Sequence, residues 1–230
     1  MNNPNLVRRY RPKNVILGIG MALAVLLPFG FSFLVRYLGD GNFNDRVIYS
    51  VLTNWGIVVI LYLYAYKVEN SPLLIWTGKN SGVGFTIISV LGLYVLYVLA
   101  AVVSSIPWWF GYRETDALLR EVMRSLRGHT VAILLISVTA GVTEELIFRG
   151  YLLTRLSIYF KDPYVPVILS SAIFSALHYR YHSLGEFIFT FLLGTIFSVY
   201  YILYRNIHAL IITHFLINFV VLNSARNSFY

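Results

Sequence analysis

Two adjacent carboxylates and a guanidinium, Glu144, Glu145 and Arg149, stand within Gly141-Val-Thr-Glu144-Glu145-Leu-Ile-Phe-Arg149-Gly150, inside a run from 130 to 156 that otherwise reads as hydrocarbon. A charge at the centre of a membrane helix costs roughly 2.5 to 3.5 kcal/mol by insertion scales, so three in one helix require a compensating role. Glu145 precedes Arg149 by four positions, acid on the amino-terminal side, which is the favourable order for a helical ion pair. Glu144 projects about 100° away around the same helix and can face a separate cavity. Phe174 and His178 share one face of a later apolar run, and His214 and Asn218 share one face of the last. Taken singly, a histidine on an apolar helix is more often a hydrogen-bonded packing residue than a catalyst. Polar clusters on three separate helices can instead converge on one water-holding chamber. There a carboxylate can take a proton from water while imidazole and amide donors hold developing negative charge, which is the chemistry of hydrolysis.

The elements that must position these groups are membrane helices. The 230 residues are 58% hydrophobic and 12% charged, with a mean hydropathy of +0.70, more apolar than a water-exposed surface allows. Apolar segments fall at roughly 14 to 37, 46 to 67, 83 to 110, 130 to 156, 164 to 181, 184 to 204 and 206 to 223. Most approach the ~20 residues that cross a bilayer. Hydrocarbon forces every backbone amide to pair internally, and the runs lack strand alternation, so helices are the expected form. The fold class expected is all-α, a polytopic bundle of about seven (six to eight) spanning helices. Residues 115 to 127 form an expected amphipathic interfacial helix, with Leu118, Leu119, Val122, Met123 and Leu126 on one face. Domain bounds are drawn at 1–129 for the amino-terminal helices with this connector, and at 130–223 for a catalytic core, all within one membrane domain.

With 18 Tyr and 4 Trp the chain can furnish two interfacial belts, Trp108 and Trp109 among them. The net charge of +8 resides at helix ends, where it suits anionic lipid rather than nucleic acid. The absence of cysteine removes disulfides, thiolate nucleophiles and cysteine metal sites. The apolar stretch after Arg8, Arg9, Arg11 and Lys13 is too long for a signal peptide and reads as the first spanning helix. Leaving out Arg149, nine Lys and Arg lie on the amino-terminal side against eight on the other, and nine against four without the connector's Arg113, Arg120, Arg124 and Arg127. The amino terminus is therefore placed in the cytoplasm.

The three clusters, in this order, resemble the signature of the Abi/CAAX (CPBP) family of intramembrane proteases. Its Glu-Glu-x-x-x-Arg motif stands here as Glu144, Glu145 and Arg149, its Phe-x-x-x-His as Phe174 and His178, and its His-x-x-x-Asn as His214 and Asn218. The resemblance covers 130 to 223. It implies a catalytic set of Glu144, Glu145, His178, His214 and Asn218, in which Glu144 activates water, His178 and His214 shape the site and Asn218 steadies the oxyanion. It also implies a membrane-associated peptide or protein substrate, a lipid bilayer and no nucleic acid as partners, and a multi-pass location, the plasma membrane of a bacterium. Two cofactor states fit equally: a Zn²⁺ or other divalent metal on Glu144, His178 and His214, as in a metalloprotease, or a metal-free glutamate mechanism. Where family members often carry Gly-x-x-x-Gly after the second motif, this chain has Gly194 and Ser198, still a small-residue step.

Some features strain against this picture or lie outside it. A rise of 1.5 Å per residue puts Glu144 and His214 at similar depth but His178 up to ~10 Å away. His129, His182 and His208 lie at helix ends, and Glu186 marks a helix start. No His-Glu-x-x-His helix is present, and Gly39-Asp40 lacks a paired intramembrane aspartate. Two rival functions remain: a non-enzymatic scaffold or bacteriocin-immunity-type member of the same family, and a transporter or proton relay.

Overall fold

Where amides have no water to bond, a chain this apolar resolves into helices, and the computed structural model describes them through residues 14–38, 43–76, 78, 82–112, 124–160, 162–178 and 183–225. They are α1 (Asn14–Leu38), α2 (Phe43–Lys67), α3 (Val83–Ser104), a short α4 (Ile106–Trp109), α5 (Thr130–Glu145), a π-helical segment (Leu146–Leu153), α6 (Thr154–Tyr159), α7 (Tyr164–His178), α8 (Leu184–Tyr204) and α9 (Ile207–Ala225). α5, the π segment and α6 run on as one apolar rod, so six helices are long and apolar enough to cross a membrane, and α7 is a shorter seventh. The expected amphipathic connector lies outside the described residues up to position 123, as do Gly39-Asp40 and His182.

Polar side chains punctuate the rods where chain reversal frees amides. Asp162 Oδ1 accepts from the N–H groups of Tyr164 and Val165 at 2.7 and 3.0 Å and so starts α7. Ser183 accepts from Glu186 N–H at 3.0 Å, the Ser-x-x-Glu start of α8. Asn206 caps α9 through Ala209 N–H and also donates to Thr86, tying α9 to α3. His129 and His208 both sit at helix starts, His208 exposed. Trp108 and Trp109 are exposed on α4, at the end of α3, as a belt requires.

The rod formed by α5, the π segment and α6 is the centre of the bundle. Every residue from Ile147 to Leu156 is buried, including Arg149 and Arg155. One apolar cluster packs Phe148, Tyr151 and Leu152 against Ala24 of α1 and Ile57 and Leu61 of α2. A second joins Leu153 to Phe197 and Tyr201 of α8, Leu210 of α9 and Leu93 of α3. Outer helices present Ile88, Leu91 and Val95 outward, a surface suited to lipid rather than water.

Candidate active site

Glycine decides how closely the site's helices approach. A Cβ at Gly141 of α5 would lie 2.9 Å from the backbone nitrogen of Phe215 and 3.2 Å from the carbonyl of Ile211, so only glycine lets α9 press here. One turn further on, this contact sets His214 of α9 against the paired carboxylates. A Cβ at Gly194 of α8 would meet the Ser171 Cα of α7 at 3.2 Å, so the same device closes α7 onto α8. Ser198, the second residue of that small step, is fully buried.

Between these two crossings lies a polar cluster. Arg149 Nη1 donates to Glu145 Oε1 at 2.9 Å, and His214 Nδ1–H donates to the same oxygen at 2.7 Å. Arg149 Nη2 reaches the Gly194 carbonyl at 3.4 Å. Its guanidinium is held between the rings of Phe174 and Phe197, 4.7 and 5.3 Å from their centroids. The same two rings flank His214 at 6.3 and 6.0 Å. The Glu145 side chain is wholly buried, whereas that of Glu144 is 23% accessible. Glu144 Oε2 lies 3.8 Å from His214 Nε2, too far for a direct hydrogen bond, and has no hydrogen-bond partner among the described residues.

The motif residues therefore fall into two groups. Glu145, Arg149 and His214 are joined directly, and Glu144 faces His214 across 3.8 Å. His178 joins them through Phe174, whose ring lies 4.7 Å from the His178 ring and 6.3 Å from that of His214. The described part of α7 ends at His178, and the residues to 181 that bear on the ~10 Å offset lie outside the described residues. His178 Nδ1–H donates to the Phe174 carbonyl at 2.9 Å. Asn218 lies one turn beyond His214, partly buried and without a hydrogen bond among the described residues.

Three features escaped the sequence. Phe197, between Arg149 and His214, reads as one more core aromatic. The π segment through Arg149 replaces the expected α-helix, and such segments concentrate at functional sites. Arg155, counted above as a cytoplasmic-side charge, is fully buried and paired with Glu69, so it belongs to the interior and leaves the orientation count. Among the described residues no three His, Cys, Asp or Glu side chains are grouped to hold a metal. His214 gives Nδ1–H to Glu145 and His178 gives Nδ1–H to a carbonyl, which leaves each Nε2 as the nitrogen a metal would take.

The chain is thus a polytopic helical bundle that encloses a carboxylate, guanidinium and imidazole cluster. Residues 127–220 match the family model described as Rce1-like, type II CAAX prenyl endopeptidase Rce1-like, so this segment is similar to that family. No curated protein and no solved structure matches the chain.

Proposed function

We propose that the chain is an intramembrane endopeptidase in which Glu144 activates the water that attacks a peptide bond of a membrane-associated polypeptide. The observation that carries this reading is the asymmetry of the two carboxylates. Glu145 is sealed and committed to Arg149 and His214, while Glu144 is accessible, with an unpartnered oxygen facing His214 Nε2 across 3.8 Å. Oε2 is itself closed to solvent, so a water bridging the two at about 2.8 Å from each requires the pair to part slightly. Glu145 then acts as a positioning residue. Its carboxylate keeps the proton of neutral His214 on Nδ1, so Nε2 accepts the second hydrogen of the water.

In the attack, the water's proton passes to Glu144 as its oxygen bonds to the scissile carbonyl carbon. Glu144 becomes neutral as the oxyanion forms, so the net charge of the site does not change. Glu144 then returns the proton to the leaving amine. The Asn218 amide is the neutral donor near at hand for the oxyanion. His178 gives Nδ1–H to a carbonyl, so its Nε2 donates only when the ring is an imidazolium. No step of this scheme passes through a metal.

Comparing the membrane peptidomes of cells carrying wild-type protein and Glu144→Gln tests the reading. A fragment present in the first and missing in the second is expected. Identical peptidomes with the cellular phenotype retained point to a scaffold. Proton or solute flux in proteoliposomes without cleavage points to a relay.

A further inference from the structure

Residues 68–76, between α2 and α3, form no helix yet close over one end of the central rod. α2 ends with the N–H groups of Val68 and Glu69 both on the Tyr64 carbonyl, and Asn70 turns the chain at a φ of 51°. Beyond that turn the strap is anchored by a saturated guanidinium. Arg155 gives Nε and Nη2 to Glu69 Oε2 at 3.1 and 2.7 Å, Nη2 also to the Pro72 carbonyl at 2.9 Å, and Nη1 to the Leu73 carbonyl and Thr154 Oγ1 at 2.7 and 3.2 Å. All five of its N–H donors have acceptors. Tyr151 O–H donates to the other Glu69 oxygen at 2.6 Å, and the guanidinium lies 4.1 Å over the Tyr151 ring.

The latch bears on the site through the π segment. Tyr151 belongs to that segment, and Thr154 O–H, which accepts from Arg155, donates to the Gly150 carbonyl at 2.8 Å. Leu74 of the strap occupies the space a Gly150 side chain would need, its Cδ2 lying 2.5 Å from where that Cβ would sit. Gly150 directly follows Arg149, the residue that orients Glu145. Nothing in the proposed reaction uses Glu69, Leu74, Tyr151 or Arg155.

We propose that the 68–76 strap is a positioning element for the site: the Glu69–Arg155 latch and the Leu74 wedge hold the π segment in the register that aims Arg149 at Glu145. The catalytic consequence rests on the protease reading above; the mechanical one does not. Amide hydrogen exchange of the full chain in lipid nanodiscs tests the mechanical claim directly, using Glu69→Gln, Leu74→Ala, Gly150→Ala and the Gly150→Ala/Leu74→Ala pair. Glu69→Gln and Leu74→Ala are expected to speed exchange over 146–153 by roughly tenfold or more while 184–204 stays at the wild-type rate. Gly150→Ala is expected to do the same and the pair to restore slow exchange, because removing the leucine makes room for the methyl. If Glu69→Gln does not fold, Leu74→Ala and the pair carry the test alone. Unchanged exchange over 146–153, or an increase spread evenly over every helix, overturns the proposal. In a cleavage assay the three single variants are expected to lose roughly tenfold in kcat with KM held within about twofold, and the pair to recover turnover. A wild-type protein that cleaves nothing refutes the protease reading and leaves the exchange result to judge the strap.

Discussion

The division of labour between two neighbouring glutamates is a matter of what each oxygen touches. Glu145, Arg149 and His214 form a buried charged network with almost no solvent contact. Removing one member leaves another charge stranded, which costs about 3 to 5 kcal/mol in buried pairs. Arg149→Met is therefore expected to lower thermal stability in detergent by that order, with Glu144→Gln nearly neutral by the same measurement. Asn218→Ala is expected to lower kcat by about 10²-fold with little change in stability, since its amide supports no other group; an unchanged kcat removes Asn218 from the oxyanion role. Chelation with a strong Zn²⁺ ligand is expected to leave cleavage intact, because among the described residues no three His, Asp or Glu side chains are grouped to hold a metal. Loss of activity restored by added Zn²⁺ contradicts that and reinstates the metal. The clusters themselves were legible because charge in hydrocarbon is rare enough to draw notice. Glu69 was not, since Val-Glu-Asn-Ser between two apolar runs reads as a solvated turn. Its partner lies 86 positions away, a distance no local pattern spans.

At the scale of elements, helix ends could be read to within a few residues because polar caps such as Ser183, Asp162 and Asn206 interrupt the apolar runs. The π segment could not. Its wider turn answers to tertiary packing, where Leu74 of the strap lies against Gly150, and an apolar run carries no mark of a wider turn. Gly141 is the element-scale determinant most open to test. Its neighbours are backbone atoms of α9, which cannot swing aside as a side chain would. Gly141→Ala is expected to push α9 outward and part His214 from Glu145, cutting kcat at least roughly tenfold while the protein stays folded. Wild-type turnover in that variant shows that α9 can give without disturbing the site.

At the scale of the whole molecule, the catalytic segment is one part of a continuous bundle. α1 and α2 supply half of an apolar core whose other half is the central rod, and Gly20 of α1 abuts Tyr64, Glu69 and the Tyr151 hydroxyl. Residues outside the family match thus hold the site's helix. The multi-pass architecture was plain from hydropathy, because lipid is a solvent that leaves a chain few alternatives. Orientation was less plain, and the burial of Arg155 removes one charge from the side assigned to the cytoplasm. The chain has no cysteine, so single cysteines at exposed Lys67 and Trp109 report the two faces separately. With the amino terminus in the cytoplasm, a membrane-impermeant thiol reagent added to intact cells is expected to label the Trp109→Cys protein and spare the Lys67→Cys protein. The reverse pattern inverts the topology.

The central claim is that Glu144, alone of the buried acids, moves the proton of the attacking water. Purified wild-type protein and Glu144→Gln, reconstituted in liposomes with the peptide that the peptidome comparison identifies, measure it directly as single-turnover cleavage rates. The account predicts a loss of about 10²- to 10⁴-fold in the variant with binding and thermal stability preserved. Cleavage by Glu144→Gln at the wild-type rate contradicts it.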